Sequence, residues 1–146
     1  MEIKVLFGSE TGHAEELAQN TQKFLTEKGF SANVYDMDKV SLNDLKTAKT
    51  VLILTSTWGD GEAPSNAEKL HSALKEATGD QLTGVTYAVF AIGQSWYDHF
   101  CQAGIDFDAY MEKLGAKRIL PLEKSDDDYD ATHPTWLNAL LSILHK

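Results

Sequence analysis

Three stretches of the chain combine glycine, hydroxyl and aromatic residues in patterns that suit ligand chemistry. The first is Gly8-Ser9-Glu10-Thr11-Gly12-His13-Ala14, which follows an apolar run and precedes a stretch of helical spacing. Its two hydroxyls and two glycines offer side-chain donors, accessible backbone N–H groups and little Cβ bulk, as a terminal phosphate at a helix start requires. No lysine or arginine lies in the stretch, so peptide dipoles and neutral donors would hold the dianion, and Glu10 must turn its charge outward. The pattern is neither Gly-x-x-x-x-Gly-Lys nor Gly-x-Gly-x-x-Gly, which disfavours nucleoside triphosphate and dinucleotide sites. Taken alone, the same stretch also reads as a loop that merely caps a helix.

The second stretch is Ser56-Thr57-Trp58-Gly59-Asp60-Gly61-Glu62-Ala63-Pro64, after a fully apolar run. Trp58 offers a flat apolar wall beside glycine backbone that can change conformation, which suits a planar ring. Core packing is the alternative for Trp58, but the polar, turn-rich residues after it favour a rim position. The third follows Ile92 and reads Gly93-Gln94-Ser95-Trp96-Tyr97-Asp98-His99-Phe100-Cys101. Here Tyr97 is placed to form the second wall of a slot, with backbone groups reading the polar edge of the ring.

Other reactive-looking residues take plainer readings. His13 reads first as a solvated helix-start residue and second as a weak positive charge beside the phosphate. His71 and His99 have no companions at metal-ligand spacing, and His133 and His145 read as surface residues. Asp126-Asp127-Asp128 with Asp130 lacks the EF-hand ligand order and reads as a solvated loop, with partner docking as a second role. Trp96 and Trp136 read first as packing residues, with Trp96 close enough to the slot to stay open as a ligand contact, and Cys101, the single cysteine, as a small buried hydrophobe. No metal site is expected, and no catalytic acid, base or nucleophile.

The elements that must position these stretches alternate between strand and helix. Ile3 to Phe7 is an apolar strand; Ala14, Leu17, Ala18, Thr21, Phe24 and Leu25 recur at helical spacing until Gly29. Ala32 to Tyr35 reads as a second strand, Ser41 to Leu45 as a short helical turn, and Thr50 to Thr55 as a strand buried on both faces. Pro64 begins a helix with a stripe through Ala67, Leu70, Ala73 and Leu74; Val85 to Ile92 is again doubly buried. A helix through Phe107, Tyr110, Met111 and Leu114 stops at Gly115, a short last strand begins at Ile119-Leu120, and Trp136, Leu137, Leu140, Leu141 and Leu144 mark the final helix. This alternation defines an α/β parallel sheet with helices on both faces. In such a sheet ligands sit beyond the carboxyl ends of the strands, where the strand order reverses, and the three stretches fall after strands one, three and four.

A chain of 146 residues suits one domain spanning 1–146. With 42% apolar and 24% charged residues it has a globular composition. No leader pattern and no spanning apolar run is present, so a cytoplasmic location is expected. A net charge of -9 speaks against nucleic acid or anionic membrane and for a basic protein partner.

Ser9-Glu10-Thr11-Gly12-His13-Ala14-Glu15-Glu16, Thr57-Trp58-Gly59-Asp60-Gly61, Gly93 to Phe100 and Ser125-Asp126-Asp127-Asp128 together resemble the FMN loops of flavodoxin-like proteins. The chain is most similar to the FMN domains of diflavin reductases and to short bacterial flavodoxins of the MioC type. The resemblance implies a three-layer sandwich around a five-stranded parallel sheet in the order 2-1-3-4-5. It implies that Ser9 to Ala14 hold the phosphate and that Trp58 and Tyr97 flank the isoalloxazine. Gly59 would turn its carbonyl to flavin N5 when the semiquinone forms. Backbone groups from Ile92 to Cys101 would serve the ring edge and ribityl chain, Ser56 to Gly61 would also line the cofactor, and Asp127 lies where the family's last cofactor-side contact falls. Two positions depart from the family pattern: Ala14 stands where many flavodoxins carry a hydroxyl, and Trp58 where diflavin proteins often carry tyrosine.

The function so implied is single-electron shuttling by a monomer, between a basic NADPH-dependent flavoprotein reductase and an acceptor redox enzyme. An NAD(P)H:quinone reductase of the same fold is the alternative. A response-regulator-like domain would need acidic residues after the first strand and a phosphoacceptor aspartate after the third, where Ser9-Glu10-Thr11 and Ser56-Thr57-Trp58 stand instead. No NAD(P)H-binding portion is recognised in the chain, so its electrons are expected from another protein.

Overall fold

The computed structural model describes residues 3–8, 12–56, 65–92, 102–125 and 129–144. Strand β1 (Ile3–Gly8) leads to helix α1 (His13–Glu27), β2 (Ala32–Asp36), a 3-10 turn (Met37–Lys39), α2 (Leu42–Lys46) and β3 (Thr50–Ser56). A second 3-10 turn (Ser65–Ala67), α3 (Glu68–Glu76), β4 (Thr86–Ile92), α4 (Gln102–Lys113), β5 (Lys117–Arg118), β6 (Glu123–Ser125) and α5 (Tyr129–Leu144) follow. The strands run parallel in the order β2-β1-β3-β4-β5, with β6 also paired to β4, so the expected strand order holds.

The fifth position differs in one respect from the sequence reading. β5 pairs with the start of β4 through Thr86↔Lys117 and Tyr87↔Arg118, and β6 with its end from Phe90↔Glu123 to Ile92↔Ser125. Ile119–Leu122 therefore spans the length that Ala88 and Val89 cover on β4, and the edge bulges there. Pro121, which has no N–H to give a ladder, sits in this break. Ile119 and Leu120 are thus the bend and not the start of the strand; their apolar character serves packing against the α1 and α5 side of the core.

Side-chain alternation along the strands divides the core in two. Val5, Phe7, Leu52, Leu54, Ala88 and Phe90 pack toward α1 and α5, with Leu17, Leu25, Trp136 and Leu140. Leu6, Val51, Ile53, Tyr87 and Val89 pack toward α3 and α4, with Leu70, Leu74, Phe107 and Met111. Ala73 is exposed, so the α3 stripe is carried by Leu70 and Leu74.

His133, expected at the surface, is 4% exposed. The Thr21 hydroxyl donates to the Leu17 carbonyl at 2.8 Å and lies 2.9 Å from His133 Nε2. Its single proton being committed to Leu17, it accepts from Nε2–H. The imidazole also stacks at 6.0 Å on Trp136, whose buried indole N–H has no hydrogen-bond partner among the described residues.

Candidate functional site

Parallel register brings the ends of the relevant strands together. Gly8 lies opposite Thr55, Ser56 opposite Ile92, and Ile92 opposite Ser125. The chain therefore leaves β1, β3, β4 and β6 from one edge of the sheet, beside the point where the strand order reverses between β1 and β3. Of the candidate residues, Gly12, His13, Ala14, Ser56 and Ile92 lie on this edge. Ser9, Glu10, Thr11, Thr57, Trp58, Gly59, Asp60, Gly61, Gly93, Gln94, Ser95, Trp96, Tyr97, Asp98, His99, Phe100, Cys101 and Asp127 lie outside the described residues.

The head of α1 has the features a phosphate needs. Gly12 is the N-cap with φ +87, a left-handed conformation that glycine adopts without steric cost, and it contributes no side-chain cap. A Cβ built on Gly12 would meet nothing within 4 Å among the described residues. Ala14 is fully buried, while the first-turn carboxylates Glu15 and Glu16 are exposed and directed to solvent. Neutral donors, a helix start and no cationic side chain form a donor set that fits a terminal phosphate ester. On β1 itself, glycine is demanded by packing: a Cβ at Gly8 would come within 2.9 Å of Ala67 Cβ and 3.0 Å of Met37 Sδ.

Polar contacts that the sequence reading did not anticipate fasten the chain on either side of the loop segments. After the 57–64 segment, Asn66 donates to Asp36 Oδ1 at 3.2 Å, tying its exit to the end of β2. After 93–101, Gln102 donates to Asp106 Oδ1 at 2.8 Å, and Asp106 Oδ2 lies 2.9 Å from His71 Nε2 on α3. Across 126–128, Ser125 Oγ and Thr132 Oγ1 are 2.6 Å apart. His13 stacks on Tyr129, the first residue of α5. Apart from Gln102–Asp106, an i, i+4 pair within α4 whose spacing could have shown it, these pairs are remote in sequence or flank a loop, so spacing gave no sign of them.

A separate cavity of about 470 Å³ lies along the edge strand, lined by Asp108, Arg118 and Ile119 to Leu122. Its charges are internally paired: Arg118 bonds both Asp108 oxygens at 2.9 and 2.7 Å and reaches Glu112 at 2.7 Å. The Asp108 carboxylate holds the Arg118 guanidinium above its usual range, and burial pushes the Tyr87 phenol up beside them. It is an edge braced by ion pairs.

The doubly wound parallel sheet, with a helix starting at its switch point, defines a protein of the flavodoxin-like fold class. The flavodoxin family profile matches residues 5–135, and the chain belongs to that family. It is 41% identical over 145 residues to the NADPH sulfite reductase flavoprotein alpha-component of Bacillus subtilis (strain 168), covering 99% of this chain and 24% of that protein. The counterpart from Shewanella sp. (strain MR-4) is 39% identical over 142 residues, covering 97% of this chain and again 24% of the relative. The chain thus spans about a quarter of the length of these relatives. Among solved structures, a flavodoxin variant from Pseudomonas aeruginosa superposes with a TM-score of 0.86 at 28% identity over 100% of both chains. A Streptococcus pneumoniae TIGR4 flavodoxin gives 0.83 at 27% identity, over 97% of this chain and 99% of that one. As a flavodoxin, the chain takes FMN as its cofactor and carries electrons. Among the described residues, no helix is long and apolar enough to cross a membrane.

Proposed function

We propose that the segments leaving β1, β3, β4 and β6 hold the FMN, and that residues 1–146 form a single monomeric, cytoplasmic domain that shuttles single electrons. Ser9 to Ala14 take the phosphate; Trp58 and Tyr97 enclose the ring; Ser56 to Gly61 and Ile92 to Cys101 line its edge, and Asp127 closes the cofactor side. Bound FMN supplies the one-electron chemistry. The chain's own residues orient the ring, exclude water from its faces, and offer backbone carbonyls and N–H groups to its edge. They turn over no substrate of their own.

The observation that supports this reading is the adjacency of Gly8, Ser56, Ile92 and Ser125 at one sheet edge, from which the chain enters each of the four motifs. The donor is a basic NADPH-dependent flavoprotein and the acceptor a redox enzyme. Similarity to a quarter of an NADPH sulfite reductase flavoprotein component supports a donor of that kind. Base-like rings stacked on aromatic side chains gain about 1–3 kcal/mol each. Trp58→Ala or Tyr97→Ala should therefore weaken FMN binding and brighten its fluorescence. Unchanged affinity and fluorescence in both variants would refute the sandwich. The FMN-loaded protein alone should not oxidise NADPH, and steady NADPH oxidation by it would point to the quinone reductase alternative.

A further inference from the structure

The helices that follow the two ring segments are braced to each other. α3 comes after residues 57–64 by way of the 3-10 turn, and α4 begins at Gln102, directly after 93–101. On α4, Asp106 uses both carboxylate oxygens: Oδ1 accepts from Gln102 Nε2 at 2.8 Å, and Oδ2 meets His71 Nε2 of α3 at 2.9 Å. The imidazole is fixed by ring contacts as well, edge-on to Phe107 at 5.5 Å and to Tyr110 at 5.3 Å. Phe107 is fully buried, so the His71 ring has a rigid seat. At the far end of the pair, Lys113 Nζ donates to the carbonyls of Lys75 at 3.0 Å and Leu74 at 3.4 Å. That lower clamp holds the α3 terminus, leaving the upper one to set how far apart the leading ends of the two helices stand.

Through the i, i+4 bond between Gln102 and Asp106, the brace from His71 reaches the first residue of α4, which joins the helix to the segment carrying Tyr97, and it starts from the helix that follows Trp58. We propose that His71, Asp106 and Gln102 form a positioning bridge that sets the spacing of the two ring-binding segments. His71 and Asp106 are positioning residues: they act on the flavin through the loops and not by touching it. The inference rests on the assignment of 57–61 and 93–101 to the ring.

The test follows FMN release from the loaded protein by the rise in flavin fluorescence, alongside the separation of its two one-electron reduction potentials. His71→Leu removes the donor and keeps apolar bulk; His71→Gln keeps a donor where Nε2 stood. We expect His71→Leu to release FMN about three- to tenfold faster, the scale of one typical lost hydrogen bond, and to change the separation of the potentials. His71→Gln should stay within about twofold of the parent. The double variant His71→Leu/Asp106→Asn should lose no more than the worse single variant, because the two act as one unit. If His71→Leu does not load with FMN, Asp106→Asn carries the same comparison.

Release and potentials unchanged in His71→Leu, with only the unfolding temperature lowered, would reduce the bridge to a structural brace and overturn the proposal. A His71→Gln variant as impaired as His71→Leu would overturn it too, by assigning the effect to ring packing. Trp58→Ala and Tyr97→Ala are run beside these variants. If they leave release unchanged, the loop assignment has failed; if they speed it and His71→Leu does not, the bridge alone has failed.

Discussion

The imidazole of His13 lies over the phenol ring of Tyr129, with centroids 5.5 Å apart and planes inclined by 27°. The contact joins the head of α1, where the phosphate is proposed to sit, to the residue after the 126–128 segment. An aromatic pair contributes about 0.5–1.5 kcal/mol beyond its buried area. Tyr129→Ala should accordingly release FMN about two- to tenfold faster, with Tyr129→Phe close to the parent. Stopped-flow flavin fluorescence reads both rates, and equal rates in all three proteins would detach this stack from the cofactor.

Gly12 and Gly104 separate the two reasons for a glycine. At Gly12 no described atom lies within 4 Å of an added Cβ and the φ of +87 resists a side chain, so Gly12→Ala should cost about 1–2 kcal/mol. At Gly104 a Cβ would fall on Ala91 Cβ, where α4 lies directly on β4. Gly104→Ala should cost about 1–3 kcal/mol or more through forced separation of helix and sheet. Urea midpoints measure both, and the loss of FMN affinity should be larger for Gly12→Ala although its loss of stability is the smaller.

Much of the fold was legible because it is written in local periodicities. Thr50 to Thr55 and Val85 to Ile92 are apolar on consecutive positions, as strands covered on both faces must be, and both are central in the sheet. The break at Ile119–Leu122 was not legible, since apolar residues in a bend that packs on the core look like apolar residues in a strand. His133 was legible in principle: with Trp136, Leu137 and Leu140 it shares the i, i+3, i+4, i+7 spacing of one helix face. It was misread because residue type was weighed above position. The proposed ligand loops were singled out by composition and motif, whereas the contacts beside them, Asp106 with His71 and Ser125 with Thr132, depend on tertiary adjacency.

Tyr87 predicts a loss of stability at alkaline pH. Its phenol is buried, donates to the Asp108 carbonyl at 3.0 Å, and ionises above the usual 10.0, chiefly because burial disfavours the phenolate and secondly because Asp108 is near. The unfolded chain then loses the Tyr87 proton first. The stabilisation is complete below about pH 10 and declines above it, by up to about 1.4 kcal/mol per pH unit. The difference in unfolding free energy between the parent and Tyr87→Phe should be constant from pH 7 to 9 and shrink above 10; a constant difference throughout would contradict this.

Charge should govern encounter with the partner. Glu15, Glu16 and Glu68 are exposed at the heads of α1 and α3, beside the proposed cofactor edge, while Lys28, Lys75 and Lys113 are exposed at or near the opposite helix ends. With cytochrome c as a basic acceptor probe, the second-order rate of electron transfer should fall as salt rises from about 0.01 M to 0.15 M, where the Debye length shortens from about 30 Å to 8 Å. Glu15→Gln/Glu16→Gln/Glu68→Gln should flatten that dependence. A rate indifferent to salt would exclude electrostatic docking at this edge.

The central claim, that four strand ends converge to hold FMN, is tested most directly by amide chemical-shift mapping of the isotope-labelled chain with and without FMN. The largest shifts should fall on residues 9–14, 56–61 and 92–101 and on Asp127, with His13, Ala14, Ser56 and Ile92 as reporters from the described sheet edge. Shifts centred instead on Arg118 to Leu122 at the edge-strand cavity, or on Lys49, Gly84 and Gly115 at the opposite end of the sheet, would contradict it.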